Sequence, residues 1–64
     1  MADFDRDLQR LLLGAGCYFV RAGKGSHQIW YSPITDRNFA VPNGIVSRHT
    51  ANAVLTDAGL PKRF

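Results

Sequence analysis

The sequence predicts an α+β domain with the element order α-β-β-β-α. Two segments, one near each end, place apolar residues at helical spacing. Between them lie three short runs rich in aromatic and β-branched residues, joined by turns of a few residues that contain Gly or Pro. Sequential strands with short connections form an antiparallel meander. We therefore expect a three-stranded antiparallel sheet with one face covered by the two helices and the other open to solvent or a partner.

The first helix is predicted from an apolar face with the spacing i, i+4, i+7 and i+8, formed by Phe4, Leu8, Leu11 and Leu12. Asp3 is placed to cap this helix, and Asp5 and Asp7 favour the positive end of its dipole. Gly14 and Gly16 are expected to end it.

The three predicted strands are residues 17–21, 26–32 and 37–41. The connecting turns lie at residues 22–25 and 33–36, and Pro42, Asn43 and Gly44 end the third strand.

The second helix is predicted from Ala51, Val54, Leu55 and Ala58, which share one helical face. Ser47 is placed as its N-cap and Gly59 as its C′ residue. Leu60 is expected to fold back onto the last turn, and Pro61 prevents the helix from continuing.

Length and charge limit the possible functions. The 64 residues predict one domain, residues 1–64, with eight Lys+Arg, five Asp+Glu and a formal charge of +3. Three acids lie in the first seven residues, so residues 8–64 hold only Asp36 and Asp57 against seven basic groups. This bias favours a polyanionic partner, although charge by itself is weak support.

Cysteine content and hydropathy predict a soluble, cytoplasmic protein. Cys17 is the only cysteine, which excludes an intramolecular disulfide and fits a reducing compartment. The uncharged run 11–20 is about half the length of a membrane span. The residues before it are net acidic, unlike the basic leader of a signal peptide.

Several classes of chemistry are excluded by spacing. The stretch Gly23-Lys24-Gly25-Ser26 lies between two strands, so it is not a phosphate-binding loop that precedes a helix. Two histidines 22 positions apart and one cysteine do not build a zinc site, and we predict no metal and no cofactor. No two carboxylates are placed as an acid/base pair.

His27 is the remaining candidate for catalysis. Imidazole suits proton transfer near neutral pH, and metal-free RNA cleavage needs such a group beside a cation. Arg21 or Lys24 can supply positive charge, and Gly25 and Ser26 allow a phosphate to approach backbone N–H groups.

Strand alternation supplies the competing interpretation of His27. On a strand His27 shares a face with Ile29 and Tyr31. If Ile29 points into the core, His27 lies at the rim of the buried face, and residue patterns alone favour packing or plain exposure over catalysis.

Two other groups of candidates are interpreted in the same way. His49 and Arg48 are expected at the surface of the second helix, where they can hold a phosphate but are better explained as solvated side chains. Trp30, Tyr18 and Phe39 can stack on bases, but core packing is expected for at least two of them.

The ordered set of segments AGCYFVRAGKGSHQIWY, NFAVP and NAVLTDAGL resembles the HicA toxins of bacterial and archaeal toxin–antitoxin pairs. The resemblance runs through nearly the whole chain. Its most specific element is Gly25-Ser26-His27 at the start of the second strand, followed by Gln28-Ile29-Trp30.

The resemblance implies a fold similar to double-stranded-RNA-binding domains and a metal-independent mRNA interferase activity. It implies that His27 is catalytic, with Gly25 and Ser26 as its motif neighbours. It also implies an mRNA substrate and a HicB antitoxin partner, so we expect a monomer alone and a hetero-oligomer with the antitoxin. Many relatives follow the Val-Pro of the third strand with a basic residue and a second histidine. Here Val41-Pro42 is followed by Asn43-Gly44, so nothing at those positions matches, and if the second histidine binds or protonates substrate in the family, this chain must use another group.

Two alternatives stay open. One is a non-catalytic RNA- or DNA-binding module of the same fold. The other is an interaction domain whose uncovered sheet face or edge pairs with another chain.

Overall fold

The element order of the structure is the predicted one. The computed structural model describes residues 4–64. Its elements are α1 (Asp5–Gly14), β1 (Tyr18–Ala22), β2 (His27–Ser32), β3 (Arg37–Pro42) and α2 (Arg48–Asp57). The strands form one antiparallel sheet in the order β1-β2-β3, which confirms the α+β prediction. Each strand boundary lies within one residue of the predicted one.

Helix α1 is tied to the loop that precedes α2. The helix begins at Asp5 and Phe4 occupies the N-cap position without a side-chain cap, while the predicted cap Asp3 lies outside the described residues. The Asp5 carboxylate accepts hydrogen bonds from the backbone N–H groups of Gly44 (2.9 Å) and Ile45 (2.8 Å). Its contribution therefore extends beyond the helix dipole, because it satisfies two loop donors 39 and 40 residues away.

Both predicted ends of α2 are confirmed. The Ser47 hydroxyl accepts a hydrogen bond from the N–H of His49 at 3.2 Å, which satisfies one free donor of the first turn. At the other end, the N–H of Gly59 donates to the Thr56 carbonyl and that of Leu60 to the Leu55 carbonyl. These two bonds form a Schellman motif. The apolar face of α2 is buried, as predicted, at Ala51, Val54, Leu55 and Ala58.

The two faces of the sheet differ in burial. The face that packs with the helices carries Trp30 and Ser32 from β2 and Phe39 and Val41 from β3, all buried. Trp30 and Phe39 are thus core residues, as expected. Ile29 alternates with Trp30 and lies on the opposite, open face. The interpretation that places Ile29 in the core, with His27 at its rim, is therefore wrong. His27 consequently lies on the open face and not at the rim of the core.

Strand β1 forms an edge of the sheet and is exposed along its whole length. Phe19 pairs with Trp30, but the next pair is Arg21 with Ile29, so Val20 is an extra residue in a β-bulge. Without the bulge, alternation would place Arg21 on the same face as Phe19. With it, Arg21 lies on the face of Ile29 and His27.

Candidate active site on the open face of the sheet

Three rows of paired residues make up the open face of the sheet. The first row is Gly23, His27 and Pro42; the second is Arg21, Ile29 and Ala40; the third is Tyr18, Tyr31 and Asn38. Residues directly opposite each other on antiparallel strands have Cβ atoms about 4.5–5.5 Å apart. The open face therefore has a histidine end and a tyrosine end. The row between them is apolar at Ile29 and Ala40 and has Arg21 at the β1 edge.

The turn between β1 and β2 fixes the backbone of His27. The N–H of His27 donates to the Lys24 carbonyl at 3.3 Å, and Gly25 between them has a φ of +64°, in the left-handed region that favours glycine. The N–H of Asn43 donates to the Ser26 carbonyl at 3.0 Å, so β3 holds the same turn from the other side.

The His27 ring is exposed, and one of its nitrogens is oriented by the turn. Its Nδ1 atom lies 3.3 Å from the carbonyl oxygen of Lys24. A carbonyl oxygen only accepts hydrogen bonds, so this contact favours the tautomer with the hydrogen on Nδ1. In the neutral ring the lone pair is then on Nε2. The arrangement can accept a proton at Nε2 and return it, as a general base and acid must.

The residues next to His27 on the open face carry no polar side chain. On the β1 side the paired residue is Gly23, which has no side chain. An added Cβ at Gly23 would lie 3.1 Å from the carbonyl oxygen of His27 and 3.2 Å from Cδ1 of Ile29. The side chain of Ile29 therefore leans toward Gly23, and a larger residue there would displace it. On the β3 side the partner is Pro42.

Both predicted cations lie near His27. Arg21 is opposite Ile29, which makes it a diagonal neighbour of His27 at about 7–8 Å. Its guanidinium donates to the Ala22 carbonyl at 3.4 Å. Lys24 is exposed in the turn that orients the ring, next to Gly25 and Ser26. No acidic residue occurs between residues 8 and 35, so the two strands and the turn that carry Arg21, Lys24 and His27 have no acidic side chain.

The other histidine lies elsewhere. His49 and Arg48 are exposed in the first turn of α2, which packs on the opposite side of the sheet. They are not part of the open face, consistent with the expectation that they are surface side chains. A cavity of about 280 Å³ between α1 and the C-terminal segment is lined by Asp7, Arg10 and Arg63, and it also lies away from the open face.

The tyrosine end of the open face was not predicted from the sequence as a group. Tyr18 and Tyr31 are cross-strand partners with ring centroids 5.4 Å apart, and the Tyr31 hydroxyl donates a hydrogen bond to the Asp36 carboxylate. Alternation on β2 predicted that Tyr31 shares a face with His27. The bulge in β1 was not predicted, so the sequence did not show that Arg21 and Tyr18 also lie on this face.

We expect the phenol of Tyr31 to titrate above its ordinary pKa of 10.0. The hydrogen bond to Asp36 raises this pKa most, followed by desolvation and by the negative charge of Asp36. The hydrogen bond needs the phenol proton, so its stabilising contribution is present below the unfolded pKa and is lost as pH rises through the raised one.

The measurement is an ultraviolet titration of a Tyr18→Phe variant, in which Tyr31 is the only tyrosine. Adding Asp36→Asn is expected to lower the midpoint. An unchanged midpoint would show that Asp36 does not interact with the phenol in solution.

Together these features define a small α-β-β-β-α protein whose open sheet face presents an exposed histidine, with Arg21 at the diagonal position and Lys24 in the adjoining turn. A family model described as "HicA toxin of bacterial toxin-antitoxin" matches residues 6–60. The match covers most of the chain, so the chain belongs to the HicA toxin family. The resemblance inferred from the sequence is confirmed, and membership implies a toxin role with an antitoxin partner.

No curated protein and no solved structure gives a significant match. Within residues 4–64, neither helix has the length and apolar character needed to cross a membrane.

Proposed function

We propose that the protein is a toxin that cleaves mRNA as a metal-independent endoribonuclease, with His27 as its proton-transfer group. The observation that carries the proposal is the exposed His27 ring, oriented through Nδ1 by the Lys24 carbonyl, with Arg21 and Lys24 nearby. Family membership supports the toxin role. The α-β-β-β-α order, which the resemblance associates with double-stranded-RNA-binding domains, supports an RNA ligand.

The proposed reaction is transfer within the RNA backbone. Nε2 of His27 takes the proton of a 2′-hydroxyl, and the 2′-oxygen attacks the adjacent phosphorus. The bond from phosphorus to the 5′-oxygen breaks, and the leaving oxygen takes a proton from an acid of the chain or the solvent. The products are a 2′,3′-cyclic phosphate and a 5′-hydroxyl end.

Charge stabilisation completes the proposed mechanism. Negative charge develops on the phosphoryl oxygens in the transition state, and Arg21 or Lys24 stabilises it. The backbone of Gly25 and Ser26 allows the phosphate to approach closely because neither residue is bulky. A metal ion is not needed for any of these steps.

The proposed partner is a HicB-like antitoxin that covers the open face. Such a complex blocks access to His27, so the toxin would act as a monomer and be inactive as a hetero-oligomer. The alternative function is a non-catalytic RNA- or DNA-binding module. The exposed cations and tyrosines of the open face would then bind nucleic acid without cleaving it.

Purified protein is expected to cut single-stranded RNA in the presence of excess chelator. The fragments are expected to carry 5′-hydroxyl ends, because a 2′-oxygen and not water attacks the phosphorus. End labelling by polynucleotide kinase without prior phosphatase treatment measures this. Salt-dependent RNA binding without fragments would favour the non-catalytic module, and cleavage that is abolished by chelator would contradict the metal-independent mechanism.

A further inference from the structure

The tyrosine end of the open face has features that the proposed reaction does not use. Tyr18 is 54% exposed, whereas Trp30 and Phe39, on the other face, are buried in the core. Its ring lies against Tyr31 with an interplanar angle of 39°. Asn38, opposite Tyr31 on β3, is also exposed on this face. Tyr18 and Asn38 therefore present an aromatic ring and an amide group to solvent, and both can contact a nucleobase.

The hydrogen bond to Asp36 restrains the Tyr31 side chain of this pair. Tyr31 donates its phenol proton to Asp36, which holds the ring in place beneath its neighbour. The phenol is neutral at physiological pH because its ordinary pKa of 10.0 lies well above that range, and the contact with Asp36 raises this pKa further. Rigid, neutral aromatic rings bind nucleobases because every base has a π face on which to stack.

The charged side chains are unevenly distributed between the histidine end and the tyrosine end of the open face. Arg21 and Lys24 lie toward the histidine end, where phosphate is attracted. At the tyrosine end Asp36 is followed by the exposed Arg37, so the formal charges there cancel and phosphate is attracted less than at the histidine end. This difference in charge favours a nucleic-acid strand with a phosphate near His27 and a base over the tyrosines.

The spacing of the two ends limits which base is bound. Tyr31 is four residues beyond His27 on β2, a separation of about 13 Å at the usual rise of a strand. A stacked strand rises about 3.4 Å per nucleotide, so the base lies within roughly four nucleotides of the phosphate at His27. A base inside a duplex is covered on both faces, so the bound base must be unpaired.

We propose that Tyr18, supported by Tyr31, stacks on one unpaired base of the RNA strand near the cleaved bond, with Asn38 contacting the base edge. The substrate is therefore single-stranded at this position. The inference rests on the proposed function, because it requires RNA on the open face.

The test is RNA binding by fluorescence anisotropy with short fluorescein-labelled 2′-O-methyl RNAs that have no secondary structure. The blocked 2′-oxygen prevents the proposed cleavage, so binding is measured separately from catalysis. Tyr18→Ala is expected to weaken binding roughly 5- to 100-fold, and Tyr18→Phe is expected to retain it. Phe19→Ala is the matched control, because Phe19 is 50% exposed but lies on the other face against Trp30. It is expected to bind as the wild type does.

A second measurement separates stacking from a general structural effect. Removing one base of the RNA at successive positions should weaken wild-type binding at one position. The same removal should have no effect on Tyr18→Ala, because the base has already lost its partner. Equal weakening by Phe19→Ala would overturn the inference.

Failure of the inference can be distinguished from failure of the proposed function. Wild-type binding by Tyr18→Ala, while the wild type still cleaves unmodified RNA, overturns the stacking site and leaves the proposed function intact. Loss of antitoxin binding with unchanged RNA binding also overturns it and assigns the tyrosines to a protein interface. Absence of both RNA binding and cleavage in the wild type overturns both.

Discussion

Replacing His27 with alanine is expected to slow RNA cleavage by roughly 100- to 10,000-fold, the range typical of a lost general acid–base group. Cleavage falls because no other imidazole lies on the open face to take the 2′-hydroxyl proton. The fold should persist, because the ring is exposed and its one described hydrogen bond, to the Lys24 carbonyl, is long at 3.3 Å. The measurement is the single-turnover cleavage rate, with folding checked by circular dichroism and thermal unfolding.

His49→Ala is the matched control for this substitution. It removes the same side chain from the first turn of α2, away from the open face, and the backbone N–H that Ser47 caps remains. We expect wild-type cleavage and growth arrest from this variant. Full activity in a folded His27→Ala protein, or equal loss in both variants, would contradict the assignment of catalysis to His27.

Replacing Gly59 with alanine is expected to lower the free energy of unfolding by about 2–5 kcal/mol. Gly59 has a φ of +84°, and an added Cβ would lie 2.7 Å from Cγ2 of Ile34 and 3.0 Å from Cγ2 of Thr35. Both contact atoms are methyl groups on Cβ, so relief requires the turn between β2 and β3 to shift. A domain of this size is stable by roughly 3–10 kcal/mol, so the loss is a large fraction of the total.

Gly44→Ala separates the backbone strain from the overlap. Gly44 has a similar φ of +68°, but no atom lies within 4 Å of its added Cβ. We expect a loss of only about 1–2 kcal/mol, from the left-handed conformation alone. Urea unfolding of both variants measures the difference. Equal destabilisation of the two variants would show that the overlap of the added Cβ with Ile34 and Thr35 does not contribute to the loss at residue 59.

The helices were predictable because their information is local. Periodicity gave the apolar faces, and Ser47 and Gly59 marked the ends of α2 by side chain and backbone chemistry. The contact of Asp5 with the loop at Gly44 and Ile45 was not predictable, since nothing local links residues about 40 positions apart.

The face of the sheet that carries His27 was harder to predict. On β2 the two alternating sets each mix polar and apolar residues: His27, Ile29 and Tyr31 on one side and Gln28, Trp30 and Ser32 on the other. The buried set is decided by partners distant in sequence. Trp30 pairs with Phe39 on the neighbouring strand β3, and both are buried in the core. The hydroxyl of Ser32 donates to the Ala58 carbonyl at the end of α2. The residue pattern made His27 a candidate for catalysis but favoured packing or plain exposure, and the family resemblance reversed that preference.

The extra residue at Val20 has an evolutionary consequence. Inserting or deleting one residue in an edge strand reverses the side on which every later side chain of that strand emerges, while the interior stays packed. A single codon gained or lost there can bring a guanidinium beside the histidine or remove it, with no substitution in the core. In related proteins, the length of this strand is therefore as informative about the composition of the open face as the identity of its residues.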